Sequence, residues 1–241
     1  MYAGNSFDTN FEADLNQSEL EMRFDSSDGN PDSTALGPWY QSNEDSTWSQ
    51  RLVYLLDRGM DDQFLPVGLK KIQFDISGED YLMHYTNQDN SAENSVLIPR
   101  DPESARIYFS FENGIVDIAP PSDSWSLLFC KYSTMLVTND GDDYPYLVVG
   151  ALLNPNGVVA ALDTIHDFME IELADTIDLE LTTRADVIGY DWKKYNEVYT
   201  IEPGMAYVIR DRDGFYYKLR FIDFHSDAGE TGFPKFEYVR L

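Results

Sequence analysis

YVIRDRDGFYYKLRFIDFHSDAGETGFPKFEYVRL, residues 207–241, reads as three strands and two reversals. Runs at 206–210, 215–224 and 234–240 are rich in Val, Ile, Tyr and Phe, which fit a pleated, half-buried surface. Asp213-Gly214 marks the first reversal, because glycine accepts the positive φ a hairpin turn needs. In the middle run Tyr217, Leu219 and Phe221 alternate to one face, and Tyr216, Lys218 and Arg220 to the other. In a chain with 17 Lys+Arg against 43 Asp+Glu, two cations on one strand face predict pairing with acids across the sheet.

The same pattern recurs toward the N-terminus. Strands are expected near 51–56, 70–76, 80–86, 95–98, 106–111, 115–118, 125–133, 145–153, 157–163, 177–182 and 197–201. Asn113-Gly114 fits a hairpin turn, and Asn154-Pro155-Asn156-Gly157 joins two apolar runs in the same manner. Trp125, Leu127 and Phe129 alternate with the apolar or small Ser126, Leu128 and Cys130, so that strand is expected to be buried on both sides. The segment ALDTIHDFMEIEL, 161–173, reads equally as a helical turn or a strand entry. The fold class is all-β, with mainly antiparallel sheets in a sandwich-like arrangement and few short helices.

Residues 1–46 are rich in Asp, Glu, Asn and Ser and read as an acidic, largely irregular arm; residues 47–241 read as a single β domain. KKIQFDISGEDYLMHYTN, 70–87, repeats the order of features in 217–241, and RLVYLLDRG echoes ARIYFSFENG, so a duplicated β unit is expected within that domain.

The formal net charge of −26 repels phosphate backbones and anionic headgroups, which sets nucleic-acid binding aside. No apolar run approaches the ~20 residues of a transmembrane segment. The opening MYAGNSFDTN has neither a basic nor an apolar signal region, and the reading is that an export segment is absent from this numbering. Cys130, the single cysteine, sits in the apolar run WSLLFCKY and is expected to be a buried, inert thiol.

No HExxH, Walker loop, GxGxxG, GxSxG or CxxCH is present, no carboxylate pair stands out among the acids, and the chain is read as a non-enzyme without a metal centre. The acidic loop NDGDDYP, 139–145, lacks the remainder of an EF-hand and reads as a solvated turn. His84, His166 and His225 each read first as surface or hydrogen-bonded residues.

Three stretches together resemble the HmuY family of haem-binding surface lipoproteins of Gram-negative bacteria. They are ARIYFSFENGIVDIAPPSDSWSLLFCKY at 105–132, VVGALLNPNGVVAAL with VIGYDWKKY further on, and the stretch at 207–241. The resemblance implies an exported all-β protein, at the outer-membrane surface or secreted, that holds haem b between projecting hairpins. It also implies handover to an outer-membrane receptor. Haem-binding members place two axial ligands, His or Met, after the Trp-containing element. Here the matching region offers Met135, then His166 or Met169, and it departs from a His pair, since no histidine lies between Trp125 and Asn154. Neutral imidazole and thioether are both credible haem ligands. Two readings stay open: haem capture through a Met/His pair, or Met135 and Met169 as fillers of core gaps on a scaffold that binds a glycan, peptide or protein.

Overall fold

The computed structural model describes residues 1–101, 103–104 and 106–241. Among them helical structure is confined to three short 3-10 stretches, Gln17–Glu19, Pro31–Ser33 and Leu173–Ile177, and the strands pair antiparallel, so the chain is all-β. It forms two compact units, Met1–Ser26 with Asn30–Ala119, and Ser27–Gly29 with Pro120–Leu241.

The first unit contains β1 (Tyr2–Asn5), β2 (Met22–Phe24), β3 (Tyr40–Ser42), β4 (Thr47–Ser49), β5 (Val53–Asp57), β6 (Leu69–Ser77), β7 (Asp80–Asn87), β8 (Asn94–Ile98), β9 (Tyr108–Ser110) and β10 (Gly114–Val116). Six of these make one sheet in the order β2-β1-β5-β6-β7-β8. Strands β1 to β4 were not among the expected ones. Short runs such as Tyr2–Asn5 show no alternation of their own, and β1 becomes a strand by pairing with β5, Asn5 opposite Tyr54. Asn113-Gly114 turns as expected, with Gly114 at φ +73° opening β10, which pairs with β9.

The second unit contains β11 (Leu127–Val137), β12 (Asp143–Leu153), β13 (Val159–Asp163), β14 (Lys193–Asn196), β15 (Val198–Ile201), β16 (Ala206–Arg210), β17 (Tyr216–His225) and β18 (Thr231–Arg240). Its frame is a four-stranded sheet, β13-β16-β17-β18, with β11-β12 and β14-β15 as separate hairpins. Alternation divides the sheet into two faces. On one, Tyr207, Ile209, Leu219 and Phe221 join Ala151 and Leu153 of β12 around Trp192, which stacks on Phe221 at 3.8 Å between ring centroids. On the other, Ala206 and Val208 meet Phe168 and Ile171 of the segment that follows β13. Burying one large apolar side chain contributes roughly 1.5–3 kcal/mol, so these two clusters dominate the unit's stability.

Three local expectations change. Asn154-Pro155-Asn156-Gly157 does not close a hairpin: β12 pairs with β11 and β13 with β16. The fully buried Asn154 donates its amide to the carbonyls of Ser122 and Trp125, both at 2.7 Å, and so turns the chain from the β11–β12 layer into the sheet. The strand expected at 177–182 reduces to a single bridge, Ala160 to Thr182. Cys130 is half-buried, because the face of β11 that carries it is only partly covered.

Candidate functional site

Hairpin β11–β12 pairs eleven residues on each side, from Leu127 opposite Leu153 to Val137 opposite Asp143. Its root is core: Phe129 stacks on Phe236 at 5.4 Å and meets Phe221 edge-on at 6.3 Å. Its far half has no such cover. Met135, opposite Pro145, is 47% exposed, and Val137 and Leu147 on the same face are exposed as well. On the reverse face Tyr144 and Tyr146 stand exposed with ring centroids 6.2 Å apart. The acidic stretch 139–145 includes the reversal, closed by Thr138, whose backbone N–H donates to Asp142 O at 2.8 Å and whose hydroxyl accepts from Asp142 N at 3.0 Å.

A second hairpin, β14–β15, is rooted beside the first. Lys193 is buried at its start, donates through Nζ to Val149 O of β12, and lies 4.3 Å from the Trp192 ring centroid. Burial pushes its ammonium down to about 8, against the opposing pull of Asp191. At the other end of this hairpin Tyr195 and Val198 are exposed.

His166 follows edge strand β13, which ends at Asp163. The Asp163 carboxylate is buried and folds the next residues around itself: Oδ1 accepts from Ile165 N at 2.8 Å and His166 N at 3.1 Å, and Oδ2 bonds His166 Nδ1 at 2.8 Å. Burial alone works to push Asp163 up, but the ring bond from His166 and the two backbone N–H bonds outweigh it and hold the carboxyl below its usual range. Reciprocally, the Asp163 bond raises His166 above the ordinary imidazole value, with the charges of Asp163, Asp175 and Glu170 adding to it. The pairing commits Nδ1 to Asp163 and leaves Nε2 as the ring nitrogen without a hydrogen bond among the described residues.

Met169 lies on the same loop. Phe168 turns into the core while Met169 turns out, 71% exposed. The loop is tied to the sheet by Lys218, whose Nζ donates to Ile171 O at 2.9 Å and Met169 O at 3.3 Å and lies 5.2 Å from the Phe168 ring centroid. Lys218 therefore finds carbonyls where the sequence led us to expect acids, because this face of β17 is covered by the loop. Arg220 does meet an acid, Glu237 on β18, as expected.

The structure thus brings His166 and Met169 onto one loop and leaves Met135 on the hairpin, packed on the opposite face of the same sheet. Neither methionine fills a core gap. A cavity of about 310 Å³ in this unit lies near the hairpin root, between Leu127, Ile209, Leu219 and Phe236, and none of the three candidate ligands lines it. His84 and His225 are hydrogen-bonded surface residues, to Ser95 Oγ at 2.8 Å and Asp223 Oδ1 at 3.0 Å. Asp163 was not singled out from the sequence, although its place three residues before His166 is the signal that would have found it. Among the described residues no three His, Cys, Asp or Glu stand together as ligands for a metal ion.

A family model described as "HmuY protein" matches residues 103–238, more than half of the chain. No curated protein and no solved structure matches it.

Proposed function

Because this chain belongs to the HmuY family, a family associated with haem binding at the cell surface, we propose that it is an exported surface protein that captures haem b non-covalently. His166 Nε2 and the Met135 thioether are the proposed axial pair, with Met169 as the alternative thioether. Because the hairpin and the 164–171 loop pack on opposite faces of the sheet, the Met135 pairing requires the far half of hairpin β11–β12 to swing toward the loop when haem binds. The observation that carries this reading is the His166–Asp163 pair. A metal-binding imidazole characteristically donates its second ring N–H to a carboxylate, which fixes the tautomer and strengthens the ligand. Here Nδ1 bonds a buried carboxylate at 2.8 Å and Nε2 is free to bind iron. The exposed apolar face around Met135 and Leu147 offers the flat, water-shedding contact that a porphyrin needs.

Haem itself supplies the iron that accepts the two donor atoms; the protein's part is capture, and handover to an outer-membrane receptor. No helix among the described residues is long and apolar enough to cross a membrane. Titration of the protein with hemin is the test: a shifted Soret band is expected, weakened in Met135→Ala and in His166→Ala. An unchanged hemin spectrum with the wild-type chain would sink the proposal.

One observation favours a second reading, a module that recognises a glycan, peptide or protein. In the first unit the turn between β5 and β6 presents Phe64, 83% exposed, at φ +61°. The turn is closed by two hydrogen bonds, Asp61 N donating to Leu65 O at 2.9 Å and Asp61 Oδ1 accepting from Leu65 N at 2.8 Å. Aromatic side chains are enriched at protein interfaces, and strained backbone positions cluster at functional sites. Binding of such a partner that survives both ligand substitutions and fails in Phe64→Gly would establish this reading in place of haem capture.

A further inference from the structure

The lysine that ties down the ligand loop has a counterpart in the other unit. Lys71 on β6 is fully buried and donates through Nζ to Phe11 O at 2.8 Å and Ala13 O at 2.9 Å, with a third bond to Asn90 Oδ1. It lies 5.7 Å from the ring centroid of Phe11. Lys218 on β17 does the same with Met169 O, Ile171 O and the ring of Phe168. In each unit two carbonyls separated by one residue and one phenylalanine ring satisfy a buried ammonium that would otherwise be costly to remove from water.

The surroundings correspond strand by strand. The sheet orders β1-β5-β6-β7 and β13-β16-β17-β18 match. Lys71 stands opposite Leu55 and Thr86, and Lys218 opposite Val208 and Val239. One position on, Ile72 stands opposite Tyr54 and Tyr85, and Leu219 opposite Tyr207 and Tyr238. The turns leading into β6 and β17 share a hydrogen-bond pattern: Asp211 N donates to Phe215 O at 3.0 Å and Asp211 Oδ1 accepts from Phe215 N at 2.8 Å, as Asp61 does with Leu65. The position before that last residue takes positive φ in both, as Gly214 and as Phe64. The tethered loops differ in content. Residues 8–13, DTNFEA, contain neither His nor Met, whereas 164–171, TIHDFMEI, contain His166 and Met169.

We propose that the two units are copies of one β module built around a lysine-tethered loop, and that in the C-terminal copy Lys218 is the positioning residue for His166 and Met169. This role rests on the haem reading above. Lys218 meets no donor side chain; through the Met169 and Ile171 carbonyls it fixes the backbone from which Met169 and, three residues earlier, His166 project. The tethered loop of the N-terminal copy carries neither His nor Met, so the haem site of this proposal lies in the C-terminal unit.

The test compares Lys218→Met with Lys71→Met in the full chain by three measurements. These are backbone hydrogen exchange of peptides spanning 164–172 and 8–14, the His166 titration followed by NMR without haem, and hemin titration. Lys218→Met is expected to speed exchange of 164–172 at least tenfold, to move the His166 midpoint down toward that of free imidazole, and to weaken hemin at least tenfold. Lys71→Met is expected to loosen 8–14 alone and leave His166 and hemin unchanged. If Lys218→Met does not fold, Lys218→Gln, which keeps one donor, is expected to give intermediate changes. Unchanged exchange of 164–172 in Lys218→Met would overturn the tether, and equal hemin loss in both lysine variants, or a loosened loop with full hemin affinity, would overturn the positioning role. If wild-type protein fails to bind hemin, the haem reading falls and with it the positioning role, while the exchange data still decide whether the tether exists.

Discussion

Asp163 and His166 are joined twice, ring to carboxylate at 2.8 Å and backbone N–H to the same carboxylate at 3.1 Å, so a buried anion sets both the position and the proton of a half-buried imidazole. The pair makes the proposed site sensitive to pH in a direction that can be worked out. Iron needs Nε2 without its proton, and Asp163 raises the pH at which that proton leaves. Hemin affinity is therefore expected to fall as pH drops through a midpoint above the ordinary imidazole range. In Asp163→Asn the midpoint should move to lower pH, and the best affinity should weaken by about tenfold or more through loss of the orienting partner. Hemin titrations from pH 5 to 9 check both; an identical midpoint in the two proteins would disprove the coupling.

The same pair links pH to folding. His166 is raised in the folded chain, so its contribution is fully present below the ordinary histidine value and is lost as pH rises through the folded value. Asp163 is lowered, so its contribution is present above the ordinary aspartate value and is lost as pH falls through the folded value. The interaction is expected to be strongest between those limits. Denaturant midpoints of wild type and Asp163→Asn, compared across pH, should differ most in mildly acidic solution, converge as pH falls through the folded Asp163 value, and keep a smaller difference at high pH, where the backbone N–H bonds to the carboxylate remain.

The three candidate ligands should not be equivalent. His166→Ala is expected to weaken hemin by about two orders of magnitude, about 2.7 kcal/mol, and Met135→Ala by at least about tenfold. Met169→Ala is expected to change it by less than about threefold, or about 0.7 kcal/mol. A larger loss from Met169 than from Met135 would reassign the thioether.

Gly150 permits β12 to run against the 189 loop. A Cβ there would stand 2.4 Å from Gly189 O, and Ala151 and Gly189 exchange backbone hydrogen bonds at 2.9 and 3.0 Å at that point. Gly150→Ala is expected to destabilise the chain by about 1–3 kcal/mol, as overpacking does. Urea unfolding should show a lower midpoint with an unchanged slope.

At Phe64 the expectation is the reverse. A non-glycine residue at φ +61° carries about 1–3 kcal/mol of backbone strain, and this side chain has little packing to lose. Phe64→Gly should stabilise the protein by about 1 kcal/mol after the entropic cost of glycine, roughly 0.5–1 kcal/mol. A drop in the urea midpoint would show that Phe64 makes contacts that matter in the free protein.

The all-β class, most strand positions in 51–163 and 206–240, and the Asn113-Gly114 and Asp213-Gly214 turns were legible because strand alternation and turn chemistry are local: a period of two and a positive φ are properties of a few adjacent residues. Family membership was legible for a related reason, since ordered short patterns survive in the chain wherever they come to lie. What the residues met across space was not legible. The same tetrapeptide signal that closes hairpins elsewhere carries the chain between layers at Asn154, because two distant carbonyls capture its amide. Alternation placed Lys218 and Arg220 on one face of β17, and so they are; only the folded chain decided that one meets Glu237 and the other a covering loop. His166 and Asp163 were both visible as letters, yet an aspartate becomes an orienting carboxylate only when burial denies it water and leaves neighbouring N–H groups as its partners.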